Sequence, residues 1–175
     1  RYARYAGKVK LWNDIDMAEV IDIRQSFATE SDDYRMHSLS ILSENPLAGI
    51  EIDKDCVVIC EGLLMYFTEA EVKGFLKKVI DTTHSGNLIL ETLGSWTKIK
   101  VNPVIKGIGE SSRYTWSLNN TEDCRKLDNR IEMVDSKTIF DLNKDRWGAM
   151  GILMRSPYLN KRVSTKITLY RYCCQ

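Results

Sequence analysis

Residues 55–92 constrain the fold more than any other stretch. They read as an apolar run, a helix-start signal, an amphipathic helix and a second apolar run in close succession. Asp55–Cys60 carries Cys-Val-Val-Ile-Cys, apolar at every position, as expected of a strand with both faces covered by helices. It ends at Glu61-Gly62. Thr68-Glu69-Ala70-Glu71 is a capping box, in which a threonine hydroxyl and a glutamate three residues on satisfy backbone N–H groups at a helix start. Val72, Phe75, Leu76, Val79 and Ile80 then fall on one helical face. His84-Ser85-Gly86 closes the helix, with Gly86 suited to a left-handed position after it. Asn87–Thr92 is a second buried-type strand. Strand, helix and strand with short connections form a βαβ unit, whose strands are parallel. The chain has 175 residues, 43% hydrophobic and 28% charged, enough to bury the core that such a unit needs. Disordered and collagen-like classes are excluded.

The flanks fill out an α/β architecture. Lys8–Trp12 is a short strand candidate ending in the polar cluster Asn13-Asp14-Ile15-Asp16. Asp16, with Glu19 three residues on, can cap the helix that follows, along which Met17, Val20, Ile21, Arg24 and Phe27 recur at helical spacing. Tyr34–Ile41 is a strand candidate and Ser43–Gly49 a loop. Beyond Gly94, Asn102–Gly109 reads as loop or short helix, and Asn120 or Thr121 can cap a helix through Leu127. Ile131–Val134 and Lys137–Phe140 look like strand fragments, and Lys144–Pro157 like a loop. Val163–Tyr172 alternates as an amphipathic strand, antiparallel and near a sheet edge.

Charge and cysteine usage exclude several functions. Lys+Arg number 25 against 24 Asp+Glu, a net +1, which leaves no electrostatic footprint for nucleic acid or an anionic membrane. The basic, tyrosine-bearing Arg1–Lys10 segment is too short to change that. No apolar run is long enough to cross a bilayer. Five cysteines (Cys56, Cys60, Cys124, Cys173 and Cys174) lack zinc-type spacing, so no metal site is expected and a reduced, cytoplasmic compartment fits. The chain opens on Arg1 without a signal-peptide pattern, and reads as the C-terminal part of a longer protein.

In an open α/β sheet, ligands bind beyond the carboxyl ends of the strands. Asp14 and Asp16 follow the first strand candidate and Glu61 follows the Cys56–Cys60 strand. A carboxylate at the first of these positions can accept ribose hydroxyls, or Asp16 can serve only as a helix cap; the two roles use different atoms. Glu61 can face a cationic ligand or sit as a surface or paired glutamate. His37 and His84 lie in unrelated contexts, and no Ser/His/Asp or Cys/His constellation supplies a catalytic residue. Tyr66, Trp96, Trp116 and Trp147 can line an aromatic pocket or simply pack.

Three stretches resemble one known family. Trp12-Asn-Asp-Ile-Asp-Met-Ala-Glu-Val-Ile-Asp-Ile-Arg24 resembles its "W-Y-D-L-D-L-P-E-V-I-E-L-R" segment. Cys60-Glu-Gly-Leu-Leu-Met-Tyr-Phe67 with Thr-Glu-Ala-Glu-Val72 is similar to "A-E-G-L-L-M-Y-L-P-E-E-E-V". Asn102-Pro-Val-Ile-Lys106 with Arg113-Tyr-Thr-Trp-Ser117 resembles "N-P…K…F-R-W-G". The family is the leucine carboxyl methyltransferase and polyketide (tetracenomycin-type) O-methyltransferase superfamily.

The resemblance implies an S-adenosylmethionine-dependent O-methyltransferase with a Rossmann-like class I methyltransferase fold. Its sheet would be mostly parallel with an antiparallel C-terminal strand. Asp16 matches the ribose-binding acid, Ser40 and Ile41 the pair beside the adenine, and Glu61 the glutamate near the methionine end. Ser40 stands where some members have Asp, and Ala18 replaces the usual Pro. Tyr66 and Trp116 fall on the substrate side. The family's first strand and glycine-rich loop lie N-terminal to Arg1, so the resemblance implies a partial domain over 1–175. Residues 1–95 would form the cofactor half-site, and 96–175 a substrate lid and the final strands. The methyl acceptor would be a carboxylate or hydroxyl oxygen of a small molecule or a protein C-terminus. The alternative is a non-catalytic remnant acting as a binding or scaffold module. A nicotinamide oxidoreductase gives Glu61 no role.

Overall fold

The computed structural model describes residues 2–52, 56–105, 112–142 and 146–173. Arg1, Asp55, Lys106, Gly107, Gly109, Lys144 and Cys174, which bear on the sequence reading, lie outside them. Two compact units divide the chain, Arg1–Ile52 and Asp53–Gln175.

The first unit begins with the single helical turn α1 (Tyr2–Tyr5), then β1 (Trp12–Asp16), α2 (Ala18–Gln25) and β2 (Tyr34–Ser38). The expected Lys8–Trp12 strand is displaced toward the C-terminus. The polar residues Asn13, Asp14 and Asp16 are themselves the strand, because β2 pairs with them in parallel from Trp12↔Tyr34 to Asp16↔Ser38. Asp16 therefore ends a strand, and Met17 takes the N-cap position without a side-chain cap bond. The second strand stops at Ser38, since Ser40 and Ile41 turn away: the Ser43 amide donates to the Ser40 carbonyl at 3.0 Å. Of the apolar positions on α2 only Ile21 is buried, and Phe27 is 87% exposed.

The second unit contains β3 (Cys56–Cys60), α3 (Glu69–Thr83), β4 (Ser85–Leu93), α4 (Ser95–Ile105), β5 (Ile131–Thr138), α5 (Gly148–Leu153), α6 (Pro157–Val163) and β6 (Thr165–Cys173). The capping box of α3 forms as read, with Thr68 and Glu71 bonding each other's backbone N–H groups. Val72, Phe75, Leu76, Val79 and Ile80 are all buried. The left-handed residue at its end is His84, at φ 62°, while Gly86 already lies in β4.

The sheet runs β3-β4-β6-β5, with β3 and β4 parallel and β6 antiparallel to both neighbours. The C-terminal strand is thus antiparallel and one place in from the edge. The two expected fragments around residues 131–140 are one strand, β5, interrupted by a register shift between Met133 and Asp135 and followed by a 3-10 turn over Ile139–Asp141. The expected helix through Leu127 is a 3-10 turn, Thr121–Lys126. Residues 148–163, read mostly as loop, form α5 and α6: Pro157 sits at the first position of α6, where a missing N–H costs nothing. Asn102–Ile105 continues α4, with Pro103 inside the helix.

One face of this sheet carries the core. Leu88, Leu90 and Thr92 of β4 lie beside Tyr170, Thr168 and Lys166 of β6, all buried. The Thr83 hydroxyl at the end of α3 bonds the Tyr172 hydroxyl at 2.7 Å, and Tyr170 donates to the Thr121 carbonyl at 2.9 Å. The helix and the turn therefore lie over the same face. The opposite face bears Val57, Ile59 and Ile167, 53%, 38% and 44% exposed, so β3 is not covered on both sides as its composition implied. Glycine is required where Gly86 faces Tyr172: a Cβ there would lie 2.6 Å from both the Tyr172 hydroxyl and the Cys56 carbonyl. Lys166 runs inside and donates to the carbonyls of Lys161 at 2.8 Å and Leu118 at 3.1 Å.

Candidate functional site

In the first unit the parallel pairing of β1 and β2 brings both carboxyl ends to one edge. The Leu39 amide donates to the Asp16 carbonyl at 3.0 Å, so Asp16 adjoins the turn that begins at Ser40 and Ile41. Three of the four residues expected at a cofactor are thereby neighbours. Ser40 is exposed, and its hydroxyl accepts from the Leu42 amide at 3.2 Å. Ile41 is half-buried.

The two aspartates of β1 share one face of the strand, two residues apart, yet sit in different environments. Asp14 is fully engaged. It accepts from the Trp12 indole at 2.9 Å, the Tyr34 hydroxyl at 2.7 Å and the Arg24 guanidinium at 3.0 Å. Burial first, and then the bond to Asp14, push the Tyr34 phenol up to about 12, so it stays a donor. Asp16 has one close partner: its Oδ1 accepts from the Met17 amide at 2.9 Å, and its Oδ2 lies 3.7 Å from Arg24 Nη2. Its side chain is 39% exposed against 22% for Asp14. The aspartate at the strand's end is thus the more exposed and the less engaged of the two. On the opposite face His37 pairs with Asn13 at 2.8 Å.

In the second unit Glu61 follows β3 directly and is exposed. The next residue, Gly62, at φ 63°, donates its amide to Glu91 of β4 at 2.8 Å, which fixes the turn leaving the strand. A 3-10 turn, Leu64–Tyr66, then aims Tyr66 at Tyr114, the rings edge to face at 5.3 Å. Desolvation, followed by the influence of Tyr66, raises the Tyr114 phenol above its ordinary value. Trp116 is 3% exposed; its amide and that of Thr115 both donate to the Met65 carbonyl, at 3.2 and 2.8 Å. The Trp116 indole nitrogen is buried with no acceptor among the described residues. Gly62, Tyr66 and Trp116 therefore belong to one corner, in which Glu91 and Tyr114 also stand and which Glu61 adjoins in the chain.

Sequence reading missed what holds this corner. The Asn102 side chain donates to the Tyr114 carbonyl and accepts from the Tyr114 amide, both at 2.8 Å. An amide gripping a backbone in this way explains why the Asn102 motif and the Arg113–Ser117 motif occur together. Trp96 and Trp147 lie elsewhere, against Tyr158 and Phe140. The described residues hold no cluster of side chains suited to a metal ion, and none of their helices is long and apolar enough to cross a membrane.

No family model matches the chain. The chain is 26% identical over 153 residues to the tetracenomycin polyketide synthesis O-methyltransferase TcmP of Streptomyces glaucescens, covering 81% of this chain and 55% of that protein. It is 25% identical over 142 residues to the S-adenosyl-L-methionine-dependent methyltransferase dpfgK of Gibberella zeae, covering 73% of this chain and 46% of the relative. The chain thus spans about half the length of the curated relatives it matches. Among solved structures, LepI in complex with SAM superposes with a TM-score of 0.62 at 8% identity, over 98% of this chain and 38% of that one. Magnesium protoporphyrin IX methyltransferase from Synechocystis PCC 6803, with bound SAH, gives 0.54 at 13%, over 98% and 68%. The fold is the Rossmann-like fold of class I methyltransferases, and the sequence is similar to one relative named as an O-methyltransferase and to another named as an S-adenosyl-L-methionine-dependent methyltransferase.

Proposed function

We propose that the chain serves an S-adenosylmethionine-dependent O-methyltransferase that acts on a carboxylate or hydroxyl oxygen of a small molecule, in a reduced cytoplasmic compartment. The observation that carries the reading is the shared edge of β1 and β2, where a partly exposed Asp16 adjoins Ser40 and Ile41. The residues fit the cofactor chemically. In the first unit Asp16 would accept the ribose hydroxyls and Ser40 and Ile41 would flank the adenine; in the second, taken by itself, Glu61 carries the negative charge that suits a cationic methionine end. Within the second unit, the partly exposed Tyr66 beside Tyr114 would face the acceptor, with the buried Trp116 supporting that corner. The small-molecule acceptor is supported by the polyketide synthesis named for TcmP, and the compartment by Cys56, Cys60 and Cys124, which are thiols in the structure.

When bound, the cofactor supplies an electrophilic methyl group on a sulfonium. The protein's part is alignment and electrostatics. A carboxylate acceptor needs no strong general base, in keeping with His37 being paired to Asn13 on the far face of β1. Titration of the full chain with S-adenosylhomocysteine tests the reading. Asp16→Ala and Glu61→Ala should each weaken binding about tenfold or more, whereas Thr68→Ala should lower only the melting temperature, by loss of a cap worth about 1 kcal/mol. Absence of binding, or equal losses in all three variants, would leave a non-catalytic scaffold as the better reading.

A further inference from the structure

Arg24 pairs with both aspartates of β1 through different nitrogens, hydrogen-bonding Asp14 and forming a looser ion pair with Asp16. Its Nη1 lies 3.0 Å from Asp14 Oδ2, and its Nη2 lies 3.7 Å from Asp16 Oδ2. Asp14 is itself immobilised by Trp12 and Tyr34, so the guanidinium is held from a fixed point on the strand. A rigid planar fork anchored at one end presents its other end in a defined direction. We propose that Arg24 is a positioning residue for Asp16, and that Asp14 acts only through it. This rests on the reading of Asp16 as the ribose ligand.

Contacts to both oxygens fix the rotation of a carboxylate plane about its Cβ–Cγ bond. The Met17 amide holds Oδ1 at 2.9 Å, and Arg24 attracts Oδ2. Each oxygen makes one such contact and so keeps acceptor capacity for a ligand hydroxyl. The guanidinium also offsets the repulsion between two carboxylates about 7 Å apart on one strand face. Neither contact is visible as a local sequence pattern, because Arg24 comes from the last turn of α2, ten residues beyond Asp14.

The test uses the full chain, S-adenosylhomocysteine and its 2′,3′-dideoxy analogue. Arg24→Gln should lower affinity for S-adenosylhomocysteine about tenfold and for the dideoxy compound less than about twofold. Adding Asp16→Asn to Arg24→Gln should cost little more, because the two act as one unit. Arg24→Lys keeps the charge beside Asp14 without the fork, and should also lose affinity selectively for the intact ribose. Equal losses for both compounds would overturn the proposal by showing a merely structural role. A second readout needs no ligand: the Met17 amide resonance should shift, and its hydrogen exchange quicken, in Arg24→Gln and in Asp14→Asn. An unmoved Met17 amide would overturn the proposal. A parent chain that binds neither compound would overturn the cofactor reading instead, while the Met17 amide still decides whether Arg24 orients Asp16.

Discussion

Lys166 carries its ammonium group into the core and meets carbonyl oxygens of Lys161 and Leu118. Desolvation, with the nearby Lys161 charge, lowers its pKa from 10.5 to about 8. Between those two values the unfolded chain holds a proton that the folded chain has released. The contribution of Lys166 to stability therefore rises with pH across that window and is least favourable below it. The buried thiols of Cys60 and Cys124, each pushed up to about 12 by burial, act in the opposite sense: their share is full below 9 and is lost as the pH climbs through the folded value. Comparing the parent with Lys166→Met cancels the thiols. The difference in unfolding free energy from urea melts should move in favour of the parent between pH 8 and pH 10.5, and a flat difference would contradict the account. At this scale the sequence revealed position better than role. Asp16 was legible only as an acid following a strand, not as that strand's last residue, and its separation from Asp14 was not legible. That separation depends on Trp12, Tyr34 and Arg24, which the fold brings together from three elements.

Helix α3 was legible at its start and along its buried face because what specifies these is local: a capping box at one end and an apolar stripe along its length. Strand β1 was not, because its polar residues are carried into a ladder by β2, beyond the reach of any local pattern. The short helices α5 and α6 hid behind Gly148, Gly151 and Pro157, residues that usually mark loops but here occupy helix starts and a helix interior. Gly86 shows the same gap between local signal and tertiary cause. It was read as a helix terminator, but its place is set by the Tyr172 ring and the Cys56 carbonyl. Gly86→Ala should cost about 1–3 kcal/mol as overpacking. It should also disturb the hydroxyl chain from Thr83 through Tyr172 to Cys56, bonded at 2.7 and 3.3 Å. Chemical denaturation measures the first effect. The second should appear as faster labelling of Cys56 by a thiol reagent, and an unchanged melt would refute the packing argument.

Apolar burial is shared unequally across the molecule. In Arg1–Ile52 the buried hydrophobic side chains are Ile21, Tyr34 and Leu47, whereas α3, β4 and β6 together supply an extended core to the second unit. Native-state hydrogen exchange should follow that division, with the amides of β4 and β6 the slowest and those of β1 and β2 markedly faster. Comparable protection in both would show that buried apolar area does not set local stability here. The ladder between β4 and β6 joins Ser85 to Cys173 and Leu93 to Thr165, residues far apart along the chain. As the polypeptide leaves the ribosome, β3, α3 and β4 emerge in succession and can associate early. The strand that completes the Leu88–Leu90 face arrives only after the whole of α4, β5, α5 and α6 has been made. Until then the apolar face has no Tyr170 or Tyr172 to close it. Final closure of this sheet is therefore a late event in biosynthesis, slowed by the entropy of a long loop, and that interval is when the nascent chain most needs a chaperone's protection.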